Sequence, residues 1–166
     1  MIERLRRIYT NATEDNLQTF AGPIDRAMMT YGISDPLEQC HFLTQIGHES
    51  GELRYREELA SGHAYEYRWD LGNTVPGDGP RYKGRGLIQL TGRANYTAYD
   101  RFKGANRQFI LHPERIAEDP ELCADVAGWF WQTNHLGELA RKDSILSVTR
   151  RINGGYNGLK DRKRLL

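Results

Sequence analysis

Between residues 70 and 92 the chain carries six glycines and two prolines, Pro76 and Pro80, and no helix of ordinary length passes through such a stretch. On either side, apolar residues return every three or four positions, the period of an amphipathic helix. The expected fold class is therefore mainly α (α+β), helices flanking an irregular segment. Within that segment Gly86-Leu87-Ile88-Gln89-Leu90-Thr91 predicts a short strand of a small β-hairpin. Upstream, Thr13 caps a helix over 13–32 that repeats Leu17, Phe20, Ile24 and Met28, with Pro23 kinking it or dividing it in two. Asp35-Pro36 starts a second helix carrying Leu37, Cys40, Leu43 and Ile46, and Gly51 is its stop signal. Downstream, helical patterns cover about 93–102, 120–133 and 144–152, the last ended by Gly154 and Gly155.

A chain of 166 residues suits one domain with one core. With 39% hydrophobic and 27% charged residues and a net charge of +1, neither a disordered chain nor a strongly basic nucleic-acid binder is indicated. No apolar run has the length of a membrane span, so stable membrane insertion is not expected. Met1 to Arg7 lacks the apolar stretch of a signal peptide, and the expectation is a chain made in the cytoplasm that its own N-terminus does not export. Cys40 and Cys123 each sit in an apolar helical pattern, which suits reduced core thiols better than a disulfide or a zinc site.

Cofactor motifs fail one by one. His48-Glu49 opens a zinc-protease pattern, but Glu52 stands where the second histidine belongs. The glycines from Gly79 to Gly86 have phosphate-loop spacing, yet Arg85 and Gly86 replace the required Lys and Ser/Thr. A calcium loop beginning at Asp70 ends on Arg81 rather than Glu. Neither a metal nor an organic cofactor is expected. Residues 141–166 hold eight basic and two acidic side chains, a basic surface suited to a polyanion. Arg150, Arg151, Arg162 and Arg164 belong to no DNA-recognition motif, so no nucleic-acid partner is expected.

What remains is a cluster of carboxylates, Glu49, Glu52, Glu57 and Glu58, just before the glycine-rich segment with Gln89, Thr91 and Asn95. Hydrolysing a glycosidic bond takes two carboxyl groups, one protonated to donate to the leaving oxygen and one ionised. Glu49 falls at the C-terminal end of a largely apolar helix, where desolvation and the helix dipole both disfavour the anion, as a general acid requires. Glu58 lies nine positions on, where a turn can bring it back across a cleft as the base. Residue type alone favours a solvated, structural Glu49 and a hydrogen-bonded structural His48. Tyr65, Tyr67 and Trp69 read either as a sugar-stacking rim or, more often for alternating aromatics, as one packed face.

Several blocks then occur in a fixed order: His48-Glu49-Ser50-Gly51-Glu52, Glu57-Glu58-Leu59-Ala60-Ser61-Gly62, Gly84-Arg85-Gly86-Leu87-Ile88-Gln89-Leu90-Thr91-Gly92, Asn95-Tyr96, Ile152-Asn153-Gly154-Gly155 and Asp161-Arg162. From about residue 35 to 162 the chain resembles glycoside hydrolase family 19, and within it the phage endolysin branch. The resemblance implies a lysozyme-like helical fold with a cleft between two lobes, and single-step inverting cleavage of β-1,4 bonds between N-acetylated sugars without a cofactor. By position, Glu49 matches the general acid, Glu58 is the choice for the carboxylate that activates water, and Thr91 matches the hydroxyl that helps hold it. Gln89, Asn95, Tyr96, Asn153 and His48 match substrate-contacting positions, and Arg162 one that supports the carboxylates. Glu57 competes with Glu58, because plant-type chitinases separate their glutamates by a longer segment. The gap from Glu49 to Glu58 also resembles phage muramidases, but Ala64 stands where their Thr belongs. The family pattern further leads to a helix expected beyond Leu166.

The resulting expectation is a monomeric endolysin, most simply an N-acetylmuramidase. Its partner would be the glycan strands of peptidoglycan, reached from the bacterial cytoplasm once a phage holin opens the membrane. A chitinase of the same family and a non-catalytic wall-binding module are the rivals. The whole chain, 1–166, is expected to be one catalytic domain, its core from about 1–96 and 150–166, with a smaller helical lobe over about 97–149. There Trp129, Phe130 and Trp131 either grip the glycan or pack into the core.

Overall fold

The computed structural model describes residues 1–166, and its helices begin where the sequence supplies caps. Asp35 accepts hydrogen bonds from the amides of Leu37 and Glu38, at 2.9 and 3.1 Å, and Pro36 opens α3 (Pro36–Glu49); Gly51 turns left-handed (φ 57°) just past its end. Asp119 and Pro120 repeat the arrangement at α8 (Pro120–Thr133). Thr13 caps α2 (Glu14–Thr30), which runs undivided through Pro23. The remaining helices are α1 (Ile2–Ile8), α4 (Asp78–Arg81), α5 (Arg93–Lys103), α6 (Gln108–Leu111), α7 (Arg115–Glu118), α9 (Leu136–Ala140), α10 (Ile145–Asn153) and α11 (Leu159–Leu165). None is long and apolar enough to cross a membrane.

One hydrophobic cluster joins these helices apart from α4, from Leu5 on α1 to Leu165 on α11. The Tyr31 ring, just past α2, sits against Gly128 of α8, where any side chain would collide with it. Phe42 of α3 meets Trp131 of α8 edge-on, ring centroids 5.3 Å apart. Buried Glu38 accepts from the Trp131 indole at 3.0 Å and pairs with Arg141 at 2.6 Å, so its charge is compensated. Residues 97–149 therefore share the core of the rest of the chain: Trp129 and Trp131 are packed into it, whereas Phe130 is only partly covered. Cys123 is a free, buried thiol that donates to the Ile116 carbonyl at 3.0 Å, and Cys40 is free and half-buried.

The strand expected over 86–91 does not form. Arg85 and Leu90 exchange both backbone hydrogen bonds, at 3.1 and 2.8 Å, closing a tight loop; pairing is confined to isolated bridges between Glu57 and Arg85 and between Arg85 and Leu90. Gly86 (φ 74°) and Gln89 (φ 53°) are left-handed, which no extended strand allows. Gly86 is doubly required, since a Cβ there would lie 2.5 Å from the Val126 side chain of α8. The loop is thereby pressed onto the helical core, and its far side faces a cleft.

Candidate active site

The last turn of α3 carries Glu49 to the edge of this cleft. Its carboxylate, 19% exposed, pairs at 2.6 Å with the guanidinium of Arg162, which α11 delivers and which is otherwise buried. Arg162 also donates to Gln45, one turn back on α3, and to the Asn157 carbonyl at 3.4 Å. Glu49 is thus not left uncompensated at the helix end, as the sequence alone suggests, but held by a fixed positive charge. The arrangement depends on close packing of α11 on α3: Gly158, at the N-terminal edge of α11, lies against the His48 ring with no room for a side chain.

The cleft has a volume of about 300 Å³ and is lined by Glu49, by Phe130 of α8, by Ile152 and Asn153 of α10, and by Tyr65, Leu71, Ile88, Gln89, Leu90, Thr91 and Asn95 on the opposite side. Three of these polar residues form a chain. The Thr91 hydroxyl donates to the Gln89 carbonyl at 2.9 Å, and Asn95 donates to the Thr91 carbonyl at 2.8 Å. With its proton so engaged, Thr91 Oγ1 can present only acceptor lone pairs to a water molecule in the cleft. The Gln89 amide turns back to the Gly86 carbonyl at 3.1 Å, and Asn153 donates to the Asn157 carbonyl at 3.2 Å.

Glu58 and Glu57 have different surroundings. Glu58 accepts from the hydroxyl of Tyr65, a cleft residue, at 2.9 Å and from the Gly84 amide at 3.1 Å, with no cation paired to it. Burial raises the Tyr65 hydroxyl above its ordinary range, and the bond to Glu58 adds to this. Glu57 pairs with Lys83 at 2.6 Å and Arg85 at 3.1 Å; burial opposes its ionisation, yet the two cations hold its carboxyl below the usual range. Glu57 thus locks the loop, while Glu58 is joined to the cleft wall.

Two expected substrate contacts lie elsewhere. Tyr96 is fully buried, its hydroxyl donating to the Lys83 carbonyl at 2.8 Å and accepting from Arg85 at 3.1 Å, so it is a post beneath the loop and not a sugar contact. His48 is not among the cleft-lining residues and bonds Asp161 of α11 through Nδ1 at 2.7 Å. Among the aromatics, Tyr65 lines the cleft, but Tyr67 and Trp69 are 52% and 77% exposed, not one packed face. Gln45, Leu71, Ile88 and Ile152 were not singled out by sequence reasoning. Gln45 leaves one signal there, an amide four positions, one helical turn, before Glu49.

The family model for class I chitinases of glycoside hydrolase family 19 matches residues 38–151. The chain belongs to glycoside hydrolase family 19. A family 19 domain-containing protein of Haemophilus influenzae is 32% identical over 190 residues, spanning 96% of this chain and 90% of its own length. An Arabidopsis thaliana endochitinase is 37% identical over 114 residues, 68% of this chain but 38% of the plant protein. Among solved structures, a chitinase C mutant aligns over 99% of this chain and 88% of its own with a TM-score of 0.78 at 20% identity. Streptomyces griseus chitinase C aligns over 99% and 73% with a TM-score of 0.71 at 21% identity. The helical, nearly strand-free architecture is the lysozyme-like fold of family 19, and the chain is a chitinase-like glycoside hydrolase.

Proposed function

We propose that the protein hydrolyses β-1,4 bonds of bacterial peptidoglycan by a single inverting displacement, with Glu49 as general acid and Glu58 as general base. The observation that carries this reading is the pairing of a fixed Glu49–Arg162 unit on one side of the cleft with Glu58 tied to its opposite wall through Tyr65. As general acid, Glu49 enters the reaction carrying a proton. In the step itself Glu49 gives that proton to the leaving glycosidic oxygen. Water, steadied by Thr91 Oγ1, attacks the anomeric carbon from the opposite face and loses its proton to Glu58, so the configuration inverts. The carboxylate left on Glu49 is stabilised by Arg162. Gln89, Asn95 and Asn153 offer amide groups along the cleft to hydroxyl and N-acetyl groups of the sugars.

Support for peptidoglycan over a neutral glycan comes from charge. Lys142, Arg150, Arg151, Lys160 and Lys163, exposed and in no ion pair, suit a wall polymer whose peptide stems carry carboxylates. The endolysin role, with N-acetylmuramidase specificity, a monomeric chain and access to the wall through a phage holin, follows from the resemblance described above. Chitin is the second reading, favoured by the plant and Streptomyces relatives named as chitinases. Mass spectrometry of digested Gram-negative peptidoglycan separates them, with Glu49→Gln as control. New reducing-end N-acetylmuramic acid that disappears in the variant is the expected result. Reducing-end N-acetylglucosamine would replace muramidase by glucosaminidase, and no new ends, with chitin oligosaccharides cleaved, would sink the peptidoglycan reading.

A further inference from the structure

Helix α10 borders two depressions. Its C-terminal residues Ile152 and Asn153 face the catalytic cleft, while positions 147, 150, 151 and 154, spaced three or four apart, share a neighbouring face. That face, with Leu139 of α9, lines a second open groove of about 480 Å³. The two hollows border consecutive residues at the end of the helix: Asn153 lines the first, and Gly154, whose missing side chain leaves open space, lines the second.

The groove's charge has no internal partner. Along residues 141–166, Arg141, Arg162 and Arg164 are all ion-paired, to Glu38, Glu49 and Glu52 with Asp161 respectively. Arg150 and Arg151 are exposed and in no ion pair; the one hydrogen bond of either guanidinium runs from Arg151 to the Asn134 carbonyl at 3.1 Å and steadies it beside the groove. Arg150, with its whole donor fork free, and Arg151, with all but the one N–H given to Asn134, can match carboxylates bidentately. A glycan lying in the catalytic cleft would project its substituents past Asn153 toward them.

From this geometry we infer that the Arg150–Arg151 groove binds the carboxylates of the peptide stem on the peptidoglycan strand, making it the element that selects a peptide-bearing glycan over neutral chitin. The inference rests on the peptidoglycan reading above. Its test is the steady-state kinetics of Arg150→Gln/Arg151→Gln and of the double Lys variant on sacculi with intact stems and on chitohexaose, alongside thermal melting. The expected result is an about tenfold rise in KM on sacculi at low salt with kcat kept, two exposed charge contacts being lost. Chitohexaose kinetics and melting temperature stay at wild-type values, the Lys variant recovers much of the loss, and the wild-type KM, unlike the variant's, rises with ionic strength. An unchanged KM on sacculi that the wild type cleaves, a fall in kcat alone, or a parallel loss on chitohexaose overturns the inference while leaving the peptidoglycan reading in place. A wild type that leaves sacculi intact overturns both.

Discussion

Removing the guanidinium of Arg162 tests the site most directly. Arg162 is 1% exposed and is the sole hydrogen-bond partner of the Gln45 amide oxygen as well as the ion-pair partner of Glu49. Gln45 is fully buried and its amide nitrogen already has no partner, so Arg162→Ala leaves both ends of that amide unsatisfied and a carboxylate 19% exposed without its cation. Breaking a buried pair costs about 3–5 kcal/mol, and the residual exposure of Glu49 places this case near 3. For a domain of this size that is a fall in Tm of about 6–12 °C. Arg162→Lys keeps the charge but lacks the fork that spans Gln45 and Glu49, and should lose about 1–2 kcal/mol. Thermal unfolding by circular dichroism measures both. A double-mutant cycle with Glu49→Gln should return a coupling of at least about 1 kcal/mol, because the amide no longer needs the cation. Wild-type melting of Arg162→Ala, or additive effects in the cycle, would refute the account of Glu49 as a held carboxylate.

Other consequences follow from the same geometry. Tyr65→Phe removes the hydroxyl that orients Glu58 and should lower kcat about tenfold with little change in melting, whereas unchanged turnover would detach Glu58 from the reaction. Burial pushes the Cys123 thiol up to about 12, so an alkylating reagent should add once to the native protein, at half-buried Cys40, and twice in denaturant, read by intact mass. Asp78, Asp161 and Glu57 all titrate below the usual carboxylate range: burial opposes ionisation, but Arg93 with backbone amides, His48 with Arg164, and Lys83 with Arg85 outweigh it. Their stabilising contribution is present above the unfolded-state values near pH 4 and is lost as pH falls through the lower folded values. Calorimetry should therefore show a steep fall in Tm below about pH 4 that is shallower in Asp78→Asn; an equal slope would remove Asp78 from the cause.

The parts of the site legible in the sequence are those with local causes. Asp35-Pro36 and Gly51 bracket one helix, and that bracket alone puts Glu49 in its last turn. Periodicity likewise anticipates α2, α5, α8 and α10 to within about two residues at their ends. The loop at 85–90 escapes such reasoning because Leu87, Ile88 and Leu90 are all buried, an arrangement that period-two alternation does not describe and that Gln89's left-handed backbone makes possible. His48 and Tyr96 resemble substrate contacts by position, yet their environments are set by Asp161, 113 residues away, and by Arg85 with the Lys83 carbonyl. No spacing rule carries that information.

The α11–α3 joint also imposes an order of events. Arg162 reaches Glu49 across 113 residues of chain, and its neighbours Asp161 and Arg164 reach His48 and Glu52 across 113 and 112. Closing a loop of that length costs on the order of 4 kcal/mol of chain entropy, so these contacts form after the local helices. A chain still emerging from the ribosome can already have α3 folded while Glu49 has no cation beside it. Fraying the seven residues of α11 would take Arg162 away from Glu49 while leaving the other helices in place.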